Sequence, residues 1–171
     1  MAILPIIKLG HPSLRKKAAE IREITPEIWE LAANMIDTMH LYDGIGLAGP
    51  QVNVLKRIFV IDLAMIDETL EPKAYLNPKI LSDEGTEIKE EGCLSIPDVR
   101  ADVERPFKLK VEYQTLEGRT IREEMDELTA RVFQHELDHL NGVLFIDKIP
   151  VLQRKMLEPQ LKKIREENSI T

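Results

Sequence analysis

His-Glu-Leu-Asp-His at residues 135–139 sets His135 and His139 four positions apart. On an α-helix that spacing stacks the two imidazoles on one face. Such a pair can grip one metal ion, with Glu136 beside it as a general base, so the chemistry indicated is water activated by a metal. The plain alternative is a solvated helix carrying two chance histidines. Leu128, Val132, Phe133, Leu137 and Leu140 argue against it, because they give the run an apolar face. A purely structural metal site usually takes four protein ligands, often several cysteines, and this chain has a single cysteine, Cys93.

Two histidines leave a third ligand to be found. The longer protease pattern His-Glu-x-x-His-x-x-Gly-x-x-His is followed through Gly142 and fails at Phe145, whose ring cannot bind an ion. Another protease group uses a glutamate farther downstream. Glu158 is close enough to serve, although it precedes Pro159 and sits among basic residues. Cys93, within Glu91-Gly92-Cys93-Leu94-Ser95, is the other candidate. A lone cysteine is more often a small core residue. A thiolate with two imidazoles, however, leaves a fourth position for water and suits zinc or ferrous iron. On the residues alone, both candidates stand.

Gly44-Ile45-Gly46-Leu47-Ala48-Gly49 matches the dinucleotide fingerprint G-x-G-x-x-G in letters only. The fingerprint needs a strand before it and a helix after it, and here the order is reversed. The segment reads either as a helix-to-strand loop or as a place where small residues admit a ligand's backbone, with Gln51 offering an amide nearby.

The elements that must position these residues follow from periodicity. Thr25-Pro26 supplies a cap and a proline at the first helical position. Ile28, Leu31, Ala32, Met35, Ile36 and Met39 then predict a helix over 26–41, ended by Tyr42-Asp43-Gly44. His11-Pro12-Ser13-Leu14 predicts a turn into a short helix, and Arg57–Leu63 a buried strand. Asn77-Pro78 and Ser82–Gly85 predict turns. Short alternating runs between 74 and 125, with a Leu116–Arg119 turn, predict antiparallel strands and a hairpin. Asp126 is placed to cap the histidine helix and Asn141-Gly142 to close it. Pro150 opens a last helix, about 150–167, with Leu152, Met156, Leu157, Leu161 and Ile164 on one side and Pro159 expected to kink or interrupt it. The expectation is an α+β fold: mostly antiparallel sheets wrapped around a central metal-binding helix, with an additional C-terminal helix, in a single domain over 1–171.

Composition fits that picture. The chain has 171 residues, 43% hydrophobic and 31% charged, with a net charge of −7, which disfavours non-specific nucleic-acid binding. One cysteine forms no internal disulfide, and the opening Met-Ala-Ile-Leu-Pro lacks a secretory pattern. The expectation is a cytoplasmic protein that binds neither membrane nor DNA. Arg154, Lys155, Lys162, Lys163 and Arg165 make a local basic patch on the last helix, ordinarily a solvated face.

Taken together, Gly-Ile-Gly-Leu-Ala-Gly-Pro-Gln at 44–51, Glu-Gly-Cys-Leu-Ser at 91–95 and Gln-His-Glu-Leu-Asp-His at 134–139 resemble the three motifs of the peptide deformylases, in order and spacing. Ile-Lys-Leu-Gly-His-Pro-Ser-Leu-Arg near the start resembles that family's opening, and Gly49 departs from its usual alanine. The resemblance implies a metal-dependent hydrolase that removes the formyl group from the N-terminal formylmethionine of new polypeptides and releases formate. It implies Cys93, His135 and His139 as metal ligands, attack by a metal-bound hydroxide, and Glu136 as general acid/base. Gln51 and the Leu94 N–H would face the oxyanion. Ile45, Gly46 and Gly92 would bind the peptide backbone, and Ile45, Leu128 and Val132 the methionine side chain, with Arg131 at the pocket rim. The ion implied is Fe2+, one per chain, with Zn2+, Ni2+ or Co2+ able to substitute. N-formylmethionyl peptides are the implied partners, with transient ribosome docking through the C-terminal helix. Asp138 could support the ligand shell, but a solvated charge is the ordinary reading.

Overall fold

The computed structural model describes residues 2–169. A 3-10 turn at Pro12–Arg15 precedes helix α1, Pro26–Leu41. Strand β1, Gly46–Ala48, and a second 3-10 turn, Gly49–Val52, lead to β2, Ile58–Ile61. Then come β3 (Lys73–Glu84), β4 (Glu87–Cys93), β5 (Ile96–Arg105), β6 (Lys108–Gln114) and β7 (Thr120–Asp126). Helix α2 spans Glu127–Leu140 and α3 spans Val151–Asn168, with a 3-10 turn at Phe145–Asp147 between them.

All strand pairings among these elements are antiparallel, in a five-stranded sheet of order β1-β2-β3-β6-β7 and a separate β4-β5 ribbon. This is the expected α+β architecture. Helix α2 lies between the sheet and the ribbon, and the alternation of side chains along each strand decides what it meets. In β2, Phe59 and Ile61 turn toward α2, where Phe59 packs edge-on to Phe133. Ile58 and Val60 turn the other way, toward Met35 and Met39 of α1. With both faces covered, all four residues of β2 are buried. A third apolar cluster joins Val99, Ala101 and Val103 of β5 to Phe145, Ile146, Leu161 and Ile164. It fastens the ribbon to the C-terminal helix.

Several local expectations are corrected. Residues 46–48 form an edge strand rather than a plain loop. Asn77-Pro78 is a bulge inside β3, where the register against β6 shifts between Leu76 and Lys79. Proline cannot donate to the ladder, and a bulge absorbs that loss. Asn77 takes φ 49° there. Its side chain accepts from the Ile21 N–H (2.9 Å) and donates to the Ile21 carbonyl (2.8 Å) and to Gln114 Oε1 (2.8 Å). Ser82–Glu84 also belong to β3, and the chain turns at Gly85-Thr86, with Gly85 at φ 69°. Thr25 and Asp126 occupy the N-cap positions without making a side-chain cap bond. Helix α3 runs continuously through Pro159. Lys155, whose carbonyl loses its partner to the proline, is exposed together with Pro159, so water can satisfy that carbonyl. Of the expected apolar side of α3, Leu161 and Ile164 are buried and Leu157 packs partly, but Leu152 and Met156 face solvent.

Candidate active site

Helix α2 presents His135, Glu136 and His139 toward the end of β4, which carries Cys93. One ligating atom from each of Cys93, His135 and His139 falls within a common 4.8 Å. The Cys93 Sγ lies 3.4 Å from His139 Nε2. Bonds of about 2.3 and 2.1 Å meeting at a tetrahedral angle would separate sulfur and nitrogen by roughly 3.6 Å. That pair is thus spaced as one small cation would require, and His135 stands close by. Glu158, the rival third ligand, stands apart from this cluster and pairs with Arg165 on α3. Phe145, where the longer protease pattern would place a histidine, stacks against the His135 ring at 6.2 Å between centroids.

The cluster is held by a charged network that sequence reading left unassigned. Glu91 lies two residues before Cys93 on β4, hence on the same strand face, and is buried against α2. His135 Nδ1–H donates to its Oε1 (2.9 Å), which leaves Nε2 for the cluster. Arg105 grips the same carboxylate with two bonds (Nε to Oε2 2.6 Å, Nη2 to Oε1 3.0 Å). Arg131 adds a third (Nη1 to Oε2 2.6 Å) and also donates to the carbonyls of Val103 and Glu87. Asp138, expected to be solvated, accepts from Arg105 Nη1 at 2.9 Å. Arg131 lines the cleft as expected, but its guanidinium is buried in this network and staples α2 to the ribbon. The strand period was the one available signal: Glu91 shares a face with Cys93, and a carboxylate facing the core needs cations.

Electrostatics follow from these contacts. Burial opposes charge on Glu91, yet the hydrogen bonds from His135 and Arg105 outweigh it and bring its carboxyl down to about 2. Burial pushes the Glu136 carboxyl up to about 7. Burial, with the positive charge of His135 and Arg105 nearby, holds His139 well below the usual histidine range, in the neutral form that can ligate. Burial works against a proton on His135, but Cys93, Glu136 and Glu91 raise it well above the ordinary value. The same anionic surroundings would welcome a metal cation.

Gln51 is buried, and its orientation is fixed. Its Oε1 accepts from the Ala48 N–H (2.9 Å), while Nε2 reaches Ser95 Oγ (3.1 Å) and Cys93 Sγ (3.5 Å). Leu94 lies in the turn from β4 to β5 and lines the cleft. Gly46 lies against the Glu136 carboxylate: a Cβ there would stand 2.6 Å from Glu136 Oε2. At Gly49 a Cβ would meet the carbonyls of Val54 and Lys56 at 2.7 and 2.8 Å, so the departure from the family's alanine goes with a loop packed tightly on that residue. Cys93, His135 and Glu136 open onto a cleft of about 520 Å³. Ile45, Gly46, Gln51, Gly92, Leu128 and Val132 line it as well, and Leu128 and Val132 also pack in the core behind it.

A His-Glu-x-x-His helix inside an α+β shell, with a cysteine converging on it at the wall of a cleft, describes a hydrolase site. The family model for polypeptide deformylase matches residues 3–155. The peptide deformylase of Thermotoga maritima is 44% identical over 156 residues, covering 91% of this chain and 92% of that protein. That of Rhizobium meliloti is 46% identical over 158 residues, covering 92% and 91%. The Legionella pneumophila peptide deformylase structure superposes with a TM-score of 0.88 at 36% identity, covering 97% of each chain. The Synechococcus elongatus enzyme in complex with actinonin does so with 0.84 at 42%, covering 96% of this chain and 86% of that one. The chain belongs to the peptide deformylase family, hydrolases that remove N-terminal formyl groups from nascent peptides. Among the described residues no helix is long and apolar enough to cross a membrane.

Proposed function

We propose that the whole chain acts as a single metal-dependent deformylase domain, with the ion held by Cys93, His135 and His139. The observation that carries this reading is the convergence of those three donors within 4.8 Å beside the buried carboxylate of Glu136. A divalent ion held there, Fe2+ by family resemblance with Zn2+, Ni2+ or Co2+ as substitutes, would supply a Lewis acid that makes water a better nucleophile near neutral pH. Glu136 accepts a proton from the attacking water and passes it to the departing amine. A carboxyl held near neutrality by burial suits both steps. Gln51 Nε2 and the Leu94 N–H stabilise charge on the formyl oxygen, and one such donor is worth about 3–4 kcal/mol.

An extended peptide adds to the open edge of β1. The Ile45 carbonyl already accepts from the Asp62 N–H (2.9 Å), so the acceptor offered on that edge is the carbonyl of Gly46. Gly92 serves from β4 across the cleft. Ile45, Leu128 and Val132 receive the methionine side chain, and Arg131 acts behind them by fixing Glu91.

The test is formate release from formyl-Met-Ala-Ser by protein purified without oxygen, with metal content measured on the same sample. Wild type should turn over in proportion to bound metal. Cys93→Ser should lose most metal, and Glu136→Ala should keep metal and lose turnover. A protein that releases no formate when loaded, or a Cys93→Ser variant that retains full metal and rate, ends this reading.

We further propose cytoplasmic action on chains leaving the ribosome, with docking through α3. Arg154, Arg165 and Lys162 each have an acidic neighbour, which among the described residues of the helix leaves Lys155 and Lys163, with Val151, Leu152 and Met156 also exposed on it, for docking. Deleting the helix would remove the buried Leu161 and Ile164, so charge reversal at Lys155 and Lys163 is the cleaner probe. Unchanged co-sedimentation with ribosomes would remove this part of the proposal.

A further inference from the structure

Beyond β2 the chain forms a tight turn over the mouth of the cleft. Asp62 anchors its start three ways. Its N–H donates to the Ile45 carbonyl, its Oδ1 accepts from the Ala64 N–H (2.9 Å), and its Oδ2 meets His40 Nε2 at 2.6 Å. The turn closes with the N–H groups of Ile66 and Asp67 on the carbonyl of Leu63 (2.9 and 3.2 Å), whose side chain is buried. At its apex stands Met65, 72% exposed and yet part of the cleft wall, alongside Asp43, Gly44, Glu90 and Arg100. The neighbouring Ile66 is also exposed, at 55%, but does not line the cleft.

A lone exposed apolar side chain needs no explanation. Met65 differs because the turn that carries it is anchored, through Asp62, to Ile45 beside the proposed substrate edge, and because it lines the cleft. The turn begins at the residue bonded to Ile45, and a peptide whose formyl end lies between Gly46 and Glu136 must next pass Gly44 and Asp43. That path brings its downstream side chains beneath Met65. An unbranched thioether adapts to side chains of different shape, so it rewards apolar bulk without demanding one residue.

We infer that Met65 is a specificity-determining residue that favours large apolar side chains at the second or third position of the formyl peptide. The inference rests on the deformylase reading. The contact is distant from the bond that breaks and is equal in ground and transition states, so it acts on KM rather than on kcat.

The test compares formyl-Met-Ala-Ser with formyl-Met-Leu-Ser and formyl-Met-Ala-Leu, in wild type, Met65→Ser and Ile66→Ser. Wild type should favour at least one leucine peptide by about three- to tenfold in kcat/KM, through KM, as expected for burying part of one apolar side chain. Met65→Ser should collapse that ratio toward one, and Ile66→Ser, which removes equal apolar bulk outside the cleft, should preserve it. The inference is overturned if wild type shows no preference, if the preference survives Met65→Ser, or if Ile66→Ser removes it equally. Loss of all turnover, formyl-Met-Ala-Ser included, in wild type would instead bring down the deformylase reading and this inference with it.

Discussion

Glu91 supports His135 by charge, and Gly46 leaves room for Glu136 by the absence of a side chain. Glu91 satisfies two guanidinium groups and one imidazole N–H at once. Glu91→Gln keeps an oxygen for His135 but strips the negative charge from between Arg105 and Arg131. Metal affinity should fall about 10–100-fold, as is typical when a ligand's supporting partner is lost. Chelator competition on the purified variant measures it, and an unchanged affinity would show that the network serves folding alone. Gly46→Ala drives a methyl into Glu136 Oε2, which stands only 2.6 Å from the ideal Cβ. The carboxylate must move, and displacements of that size cost on the order of 100-fold in rate. The expected result is a large drop in kcat with metal content intact. A variant with near wild-type kcat would mean that Glu136 relocates freely.

At the scale of elements, α3 carries a proline where a helix interior normally rejects one. Its buried side, Leu161 and Ile164, is locked to β5 and to Phe145, so packing holds the helix together where local propensity does not. Pro159→Ala restores an N–H to the Lys155 carbonyl and removes the ring. It should stabilise the protein by about 1–2 kcal/mol, less than the full helix-interior cost of proline because the unfolded chain gains freedom. Urea unfolding of both proteins checks the direction; a lower midpoint for the alanine variant would show that the proline is accommodated by contacts that need it.

The whole molecule is tied from end to end through Asp147. Arg15 from the N-terminal turn meets it at 2.5 Å and Arg154 from α3 at 2.9 Å, while its own Oδ2 accepts from the Leu144 N–H (3.0 Å). Burial works to raise this carboxyl, but the bonds from Arg15, Leu144 and Arg154 hold it below its ordinary value. A depressed folded pKa means that the stabilisation is present above the unfolded carboxyl's value, about 4, and is lost as pH falls through the lower folded value. Asp147→Asn should therefore be less stable than wild type at pH 6, with the gap narrowing toward pH 3. Urea midpoints across that range would reveal it, and a gap that stays constant with pH would assign the loss to packing rather than ionisation.

Local periodicity alone determined much of this protein. Helix α1 falls at the predicted residues 26–41, and the face of α2 that carries His135 and His139 follows from a spacing of four, because helix geometry is settled within a few residues. The three motifs in order were enough to suggest the family. What the residues could not decide by themselves was which distant segment faces that helix. The residues alone left Glu158 open beside Cys93, which the family resemblance favoured; the β4-β5 register brings Cys93 to the imidazoles, and α3 pairs Glu158 with Arg165. Asp138 looked solvated until β5 delivered Arg105 to it, and Asn77-Pro78 looked like a turn until β6 offered a ladder that a bulge could follow. Each of these outcomes depends on partners far away in sequence. A buried charge is tolerated only opposite its counter-charge, and only the folded chain fixes which residues stand opposite one another.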